Sequence, residues 1–172
     1  MSIQLITKYY SNGQKHFEGY YDETDPVGDH ISWYENGQMQ NETIELDELN
    51  QISTNWHENG NLKSRGILTE YFESGLWTYW HDNGKKLKEG VFIDKDERWG
   101  KWRFWHNNGQ MACCGIHKGW SGDGLWTFWD NTGVKIHEKS YKDSELLNVW
   151  KNLRLEGCSD DLVELFKDLI FN

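Results

Sequence analysis

The chain has 172 residues, a formal net charge of −10 and 15% aromatic residues, among them 11 tryptophans. This length suits one ordinary domain, and the acidic charge argues against nucleic acid and anionic lipid as partners, because both attract basic patches. No apolar run approaches the roughly 20 residues that span a bilayer, the start lacks the apolar stretch of a signal peptide, and the three cysteines form no disulfide framework, so we expect a cytoplasmic protein without a membrane partner.

Six glycines at near-constant spacing define an internal repeat. Their intervals are 24, 23, 24, 25 and 24 residues; five of them follow an asparagine, and an aromatic residue stands four positions before each. Asn-Gly between aromatic-rich runs is a strong signal for a β-hairpin that is closed by a two-residue type I′ turn. We therefore predict an all-β fold, an elongated antiparallel sheet of consecutive hairpins. The glycines are Gly13, Gly37, Gly60, Gly84, Gly109 and Gly133.

A two-residue loop would also fix which residues face each other across each hairpin. Residues four before and three after the glycine would pair, as Trp80 with Leu87, and residues seven before and six after would pair, as Trp77 with Gly90. A tryptophan over a bare glycine stabilises a weak strand position. The later hairpins would repeat these pairs: Trp105 with Ala112, Trp129 with Ile136, and Trp102 with Gly115.

We expect the first set of tryptophans to form the core face of the sheet. Trp80, Trp105 and Trp129 would share it with apolar neighbours: Leu87, Val91, Ala112, Ile116 and Ile136. The opposite face would then carry an aromatic lane that is confined to the later repeats. Its members are Trp77, Tyr79, Trp102, Phe104, Trp126, Phe128 and Trp150.

The end of the chain departs from the repeat. A decayed seventh copy, with a first strand only, ends near Gly157, and apolar residues then recur at helical spacing from Leu162 to Ile170. We predict a repeat array over residues 1–157 and an amphipathic capping helix over residues 158–172. A helix of about 13 residues is about 20 Å long and could cover about two repeats of the aromatic lane. The sequence is compatible with two alternatives, a lane that this helix covers and a lane that faces a partner.

No pattern of residues predicts catalysis. His57, His81 and His106 recur three positions before the glycine, but successive copies would lie about 9.6 Å apart, too far to share one zinc ion. Half-exposed strand histidines are the simpler interpretation. We predict a protein that is not an enzyme and has no catalytic residue, metal site or cofactor.

Charge is distributed unevenly between the two ends of the predicted hairpins. The links between hairpins, from 22–29 to 142–145, carry net charges of −4, −3, −2, −1, 0 and −1. The eight residues around each Asn-Gly turn carry +1, −1, 0, +2, 0 and 0. An acidic rim can steer a basic partner towards one side of the sheet, although solvated loops that discourage aggregation would look the same.

The repeat resembles a known family, most clearly in "LWTYWHDNGKKLKEGVF" and "KWRFWHNNGQMACCGI". The pattern W-x-x-W-x-x-N-G-x-x-x-x-x-G is similar to that of the MORN-repeat-variant proteins of bacteria, which include YwqK-type antitoxins of toxin–antitoxin systems. The resemblance covers about residues 5 to 157. It implies an elongated sheet for protein contacts and, in the antitoxin members, neutralisation of a toxin. Repeats two and three depart from the pattern, since His30 and Ser53 replace the first tryptophan.

These observations favour a binding protein that neutralises a basic toxin of the nuclease or deaminase class by occlusion, as an antitoxin or immunity protein. Alternatives are an inhibitor of a host or phage defence protein, and a scaffold that self-associates through its open first strand; the oligomeric state stays open, with a monomer favoured. The candidate contact residues are aromatic lane members and link acids: Trp77, Tyr79, Trp102, Phe104, Asp22, Glu23, Asp25, Asp47, Glu48, Asp94, Asp96 and Glu97.

Overall fold

The computed structural model describes residues 3–23 and 25–141, and this part of the chain forms one antiparallel sheet of twelve strands. Each strand pairs with its neighbours in sequence, so six hairpins follow one another without a crossover. The strands are β1 Ile3–Tyr9, β2 Lys15–Asp22, β3 Asp25–Trp33, β4 Met39–Glu45, β5 Asn50–Trp56, β6 Leu62–Thr69, β7 Phe72–Trp80, β8 Lys86–Phe92, β9 Arg98–Trp105, β10 Met111–Lys118, β11 Ser121–Trp129 and β12 Lys135–Tyr141.

The all-β architecture and the hairpin repeats are therefore confirmed. The predicted capping helix at 158–172, the decayed seventh copy and Trp150 lie outside the described residues. None of the described residues forms a helix long and apolar enough to cross a bilayer.

The turns differ from the prediction. In the fourth repeat the Gly84 amide donates to the His81 carbonyl at 2.9 Å and the His81 amide donates to the Lys85 carbonyl at 2.8 Å. Gly84 has a φ of 80°, whereas Asn83 is not among the described residues with positive φ. This is a three-residue loop, a type I turn followed by a left-handed glycine, and the predicted type I′ turn is wrong.

Two consecutive left-handed residues occur instead in the links between hairpins. Glu70 and Tyr71 have φ of 52° and 72°, and Lys95 and Asp96 have φ of 43° and 65°. Thr69 pairs directly with Phe72, so a two-residue loop closes this link. The tightest turns of the described sheet thus lie at the opposite end of the strands from the Asn-Gly motifs, with ordinary side chains in a conformation that favours glycine.

The longer loop shifts the pairing beside each turn. Trp80 pairs with Lys86 rather than with Leu87, and a bulge follows before Tyr79. Beyond the bulge the prediction holds, because Trp77 pairs with Gly90. The later repeats behave in the same way: Trp105 pairs with Met111, Trp129 with Lys135, and Trp102 with Gly115.

The assignment of the two faces was wrong. The core contains the predicted aromatic lane: Trp77, Trp102, Phe104, Trp126 and Phe128, together with Phe92, Ala112, Cys113 and Tyr141. On the face predicted to be the core, Val91, Ile116 and Ile136 are exposed, and Trp80, Trp105 and Trp129 are half-buried. Ala112 is buried as predicted.

Glycine decides which face becomes the core. A methyl group added at Gly90 would lie 2.1 Å from the Trp102 ring, and one at Gly115 would lie 2.1 Å from Trp126. Each ring thus lies flat on the glycine of the preceding hairpin and not on its own hairpin partner. Rings and backbone can approach this closely only on the face that presents the glycines, and dense packing there excludes water.

Candidate functional site

The side of the sheet with the Asn-Gly turns, here called the turn side, is occupied by contacts between repeats. The Tyr34 hydroxyl donates to the Trp56 carbonyl at 2.8 Å, and the Nε2 of His57 donates to the Trp80 carbonyl at 2.9 Å. Asn36 Nδ2 donates to the Glu58 carbonyl at 2.8 Å. Equivalent bonds join the other neighbouring turns: Tyr10 to Trp33, His81 to Trp105, His106 to Trp129, Asn12 to Glu35, Asn59 to Asp82, Asn83 to Asn107 and Asn108 to Asn131.

These bonds give the recurrent histidines a structural role that the sequence did not reveal. Each histidine replaces the tyrosine of the first two repeats and reaches the same carbonyl position one repeat later. His57 and His81 are half-exposed, as predicted, whereas His106 is buried. Within the described residues no group of three or more His, Cys, Asp or Glu side chains is placed to hold a metal ion.

The predicted aromatic contacts are inside the molecule. Trp102 is 0% exposed, Phe104 1% and Trp77 2%, and Tyr79 is partly buried against the same cluster. Side chains at these positions pack in pairs along one strand, with ring centroids 5.8 Å apart for Trp77 and Tyr79 and 6.1 Å apart for Trp102 and Phe104. They stabilise the sheet and present little surface to a partner.

The side of the sheet with the links between hairpins, here called the link side, carries four of the eight predicted acidic residues at its surface. Glu23, Asp47, Glu48 and Asp94 are exposed. The Asp47 carboxylate accepts bonds from the side-chain amide of Asn50 and from backbone amides, and these bonds lower its pKa, so it is ionised at neutral pH.

Another predicted acid, Asp96, has a partner within the fold. Asp96 Oδ1 accepts a hydrogen bond of 2.5 Å from the Glu73 amide, which joins two successive links. Asp96, Asp22 and Glu97 are half-buried. The prediction for the Asp25 side chain lies outside the part of the chain that the structure describes. The exposed acids are therefore the better candidates for contact with a partner.

A cavity of about 580 Å³ opens on the core face near the link side. The Tyr79 hydroxyl donates to Glu73 Oε1 at 2.5 Å, and burial raises the pKa of Glu73 despite this bond. Lys88 Nζ lies 4.4 Å from the centre of the Tyr79 ring. Burial and the Glu73 carboxylate raise the pKa of Tyr79, which therefore remains a hydrogen-bond donor. The remaining lining residues are Ser53, Asn55, Ser64, Leu68, Tyr71, Trp77, Phe92, Asp96, Arg98 and Trp120.

Sequence reasoning missed two aromatic residues at this cavity. Tyr71 is 79% exposed and Trp120 is 62% exposed, and both lie in links. An aromatic residue within a short link, where Gly, Asn or Asp are usual, is the signal that could have indicated them. The link side therefore combines ionised acids with exposed rings, which suits contact with a protein.

Comparison with known proteins supports the architecture. The MORN repeat variant family matches residues 26–44 and 73–94, which fall in the second and fourth hairpins. Among the curated proteins, none matches the chain significantly.

Two solved structures of the protein TarM are similar in part. A mutant of TarM from S. aureus, in complex with fondaparinux, alpha-GlcNAc-glycerol and UDP, is 11% identical, with a TM-score of 0.34. A second TarM structure is 12% identical, with the same TM-score. In both cases the match covers 65% of this chain and 19% of the TarM chain, so this chain spans about a fifth of the TarM length.

Proposed function

We propose that this chain, which carries repeats of the MORN variant type, is a non-enzymatic binding protein that holds a basic protein on its link side. The observation that carries the proposal is the separation of charge. The links sum to −11, whereas the windows around the Asn-Gly turns sum to +2. Complementary charge accelerates encounter and excludes acidic partners.

The two sides also differ in what is available for contact. On the turn side, tyrosine, histidine and asparagine side chains are used in bonds between repeats. On the link side Glu48 and Asp94 are exposed, and the rings of Tyr71 and Trp120 are exposed in neighbouring links. Exposed aromatic residues among charges are frequent anchors of protein interfaces.

The finer proposal is that the partner is a toxin. A nuclease or deaminase that acts on nucleic acid tends to be basic around its active site, because its substrate is anionic. An acidic antitoxin or immunity protein in the cytoplasm would occlude that surface without any chemistry of its own. An inhibitor of a host or phage defence protein would use the same contact, and the identity of the adjacent gene separates the two roles.

The test uses the product of the adjacent gene, which this proposal expects to be a basic protein. We expect a stoichiometric complex by calorimetry, with an affinity at least tenfold weaker in 300 mM than in 50 mM salt. The triple reversal Asp47→Lys, Glu48→Lys and Asp94→Lys should weaken it at least tenfold. The matched control, Glu35→Lys with Glu58→Lys and Asp82→Lys, reverses three exposed acids on the turn side.

Equal weakening by both sets of reversals would refute the placement on the link side. An affinity that ignores salt would refute the electrostatic argument. Growth rescue by co-expression tests the finer proposal, since a toxin partner should arrest cells only in the absence of this chain.

A self-associating scaffold is the second candidate, and the first strand favours it. Ile3, Leu5 and Tyr9 of β1 are 64%, 57% and 61% exposed, on a strand whose only partner in the described sheet is β2. An exposed apolar edge strand can pair with another copy. A molar mass by light scattering that rises with concentration would support this candidate, and a constant monomer mass would exclude it.

A further inference from the structure

The face opposite the core carries a line of exposed apolar side chains that polar residues interrupt, because Ser74 faces Ile67 and both Lys101 and Asp123 face Ile116. Direct cross-strand pairing joins Ile44 to Ile52 and Ile52 to Ile67, and likewise Leu76 to Val91 and Val91 to Trp99. Ile116 and Leu125 continue the line on β10 and β11. We call these residues the apolar row: Ile44, Ile52, Ile67, Leu76, Val91, Trp99, Ile116 and Leu125. All but the half-buried Ile52 are between 38% and 60% exposed.

The row is larger than isolated surface residues would explain. It crosses eight strands, from β4 to β11, and strands lie about 4.8 Å apart, so it is about 34 Å long. Single exposed apolar residues are normal, but two directly paired groups of three, aligned with further exposed apolar residues over this distance, are typical of an interaction surface. The sheet does not need these side chains for its core, because the core lies on the other face.

The borders of the row have different chemistry. Towards the link side the chain continues from Ile44 into Glu45 and Asp47, and Asp94 and Glu97 lie between Val91 and Trp99. Towards the turn side the next residues on the same face are mostly polar: Glu42, Thr54, Arg65, Thr78, Glu89, Lys101, Cys114 and Thr127. An apolar centre with a charged rim is the usual anatomy of a protein interface.

We propose that the apolar row binds a basic amphipathic helix of the partner, laid across the strands. An α-helix about 34 Å long has about 22 residues, and its pitch of about 5.4 Å is close to the strand spacing of about 4.8 Å. Successive turns of its apolar stripe can therefore contact successive strands. Lysine or arginine on the flank of the helix would face the acidic links. This inference rests on the basic partner of the proposed function and names the structure in that partner which is bound.

A synthetic 22-residue peptide of lysine and leucine, with leucine at positions i, i+3, i+4 and i+7, provides the probe. We expect saturable binding by fluorescence anisotropy at 150 mM salt, and at least tenfold weaker binding of a scrambled peptide of the same composition. Leu76→Ser with Val91→Ser should also weaken binding at least tenfold. The control is Val134→Ser with Ile136→Ser, which removes exposed apolar residues outside the row.

Each other outcome overturns the inference. The inference fails if the helical peptide does not bind, if the scrambled peptide binds equally, or if the control pair weakens binding as much as the row pair. A dimer that the row substitutions dissociate would show that a second copy occupies the row.

The two proposals can fail separately. Peptide binding without a basic protein partner would leave the row intact and refute the proposed function. A basic partner whose affinity is unchanged by Leu76→Ser with Val91→Ser would support the proposed function and refute the binding of a helix at the apolar row.

Discussion

His117 should make the stability of the fold depend on pH. Its ring lies in the core between two tryptophans, with centroids 5.9 Å from Trp102 and 5.1 Å from Trp126. Burial, assisted by the positive charge of Arg98 and opposed by the nearby Ser121 backbone, lowers the pKa of His117 to about 3. The folded protein therefore keeps this ring neutral, whereas the unfolded chain protonates it near its ordinary pKa of about 6.5.

The sign and the size of the effect follow from proton linkage. Between the folded and the unfolded pKa the unfolded state binds more protons, so stability falls as the pH falls below about 6.5. At about 1.36 kcal/mol per pKa unit, the limiting loss below pH 3 is about 5 kcal/mol, and the loss at pH 5 relative to pH 7.5 is about 2 kcal/mol. Cooperative unfolding of a domain of this size is sensitive to such a change.

The assay compares urea unfolding at pH 7.5 and 5.0 for the natural chain and for His117→Phe. Between pH 7.5 and pH 5.0 the free energy of unfolding should fall by about 2 kcal/mol more in the natural chain than in the variant. This difference does not depend on the absolute stability of the variant. Should the variant not fold, an NMR titration of the His117 ring in the natural chain replaces it. A ring that titrates near pH 6.5, or an unchanged pH dependence in the variant, would refute the argument.

Two further predictions concern packing and the turns. Gly90→Ala should destabilise the fold by about 1–3 kcal/mol in urea, because the new methyl group would meet the buried Trp102 ring at 2.1 Å; a crystal structure with an unmoved ring would contradict this. Tyr34→Phe should cost about 1 kcal/mol, since it removes the 2.8 Å bond to the Trp56 carbonyl, and the exposed Tyr71→Phe should change the melting temperature much less.

The repeat could be predicted from the sequence, because spacing and strand-forming composition are local properties. Anchoring glycines such as Gly84 marked all six turns, and the pairing of Trp77 with Gly90 was correct. The turn type could not be predicted, since Asn-Gly suits both a type I′ turn and a type I turn with a left-handed glycine. The difference of one loop residue moved Trp80 from Leu87 to Lys86.

The choice of core face failed for a different reason. Both faces carry aromatic residues, so the period of two that separates them does not say which is buried. The pairing of tryptophan with glycine was predicted, but it was not used to choose between the faces, although Gly115 and its equivalents leave the backbone bare on one face only and let Trp126 lie flat on it. The link acids were placed correctly at the loops, but contacts such as that of Asp96 with the Glu73 amide depend on the three-dimensional approach of two links.

Residues that break the repeat are better guides to function than those that keep it. In a repeat array each unit contacts only its neighbours, so a residue that recurs in every unit is explained by those contacts. From β7 onwards the core face is aromatic, whereas the preceding half is polar across β4 to β6, where Asn41 Nδ2 donates to Asn55 Oδ1 at 3.0 Å and Asn55 Nδ2 donates to Ser64 Oγ at 3.1 Å.

The cavity lies where these two halves meet, and the charge of the links also varies from −4 to 0 along the array. Neither feature is required by the hairpin repeat. A partner that distinguishes this chain from another array of such hairpins would therefore contact the links and the neighbouring apolar row, since the turn side offers nearly the same bonds in every repeat.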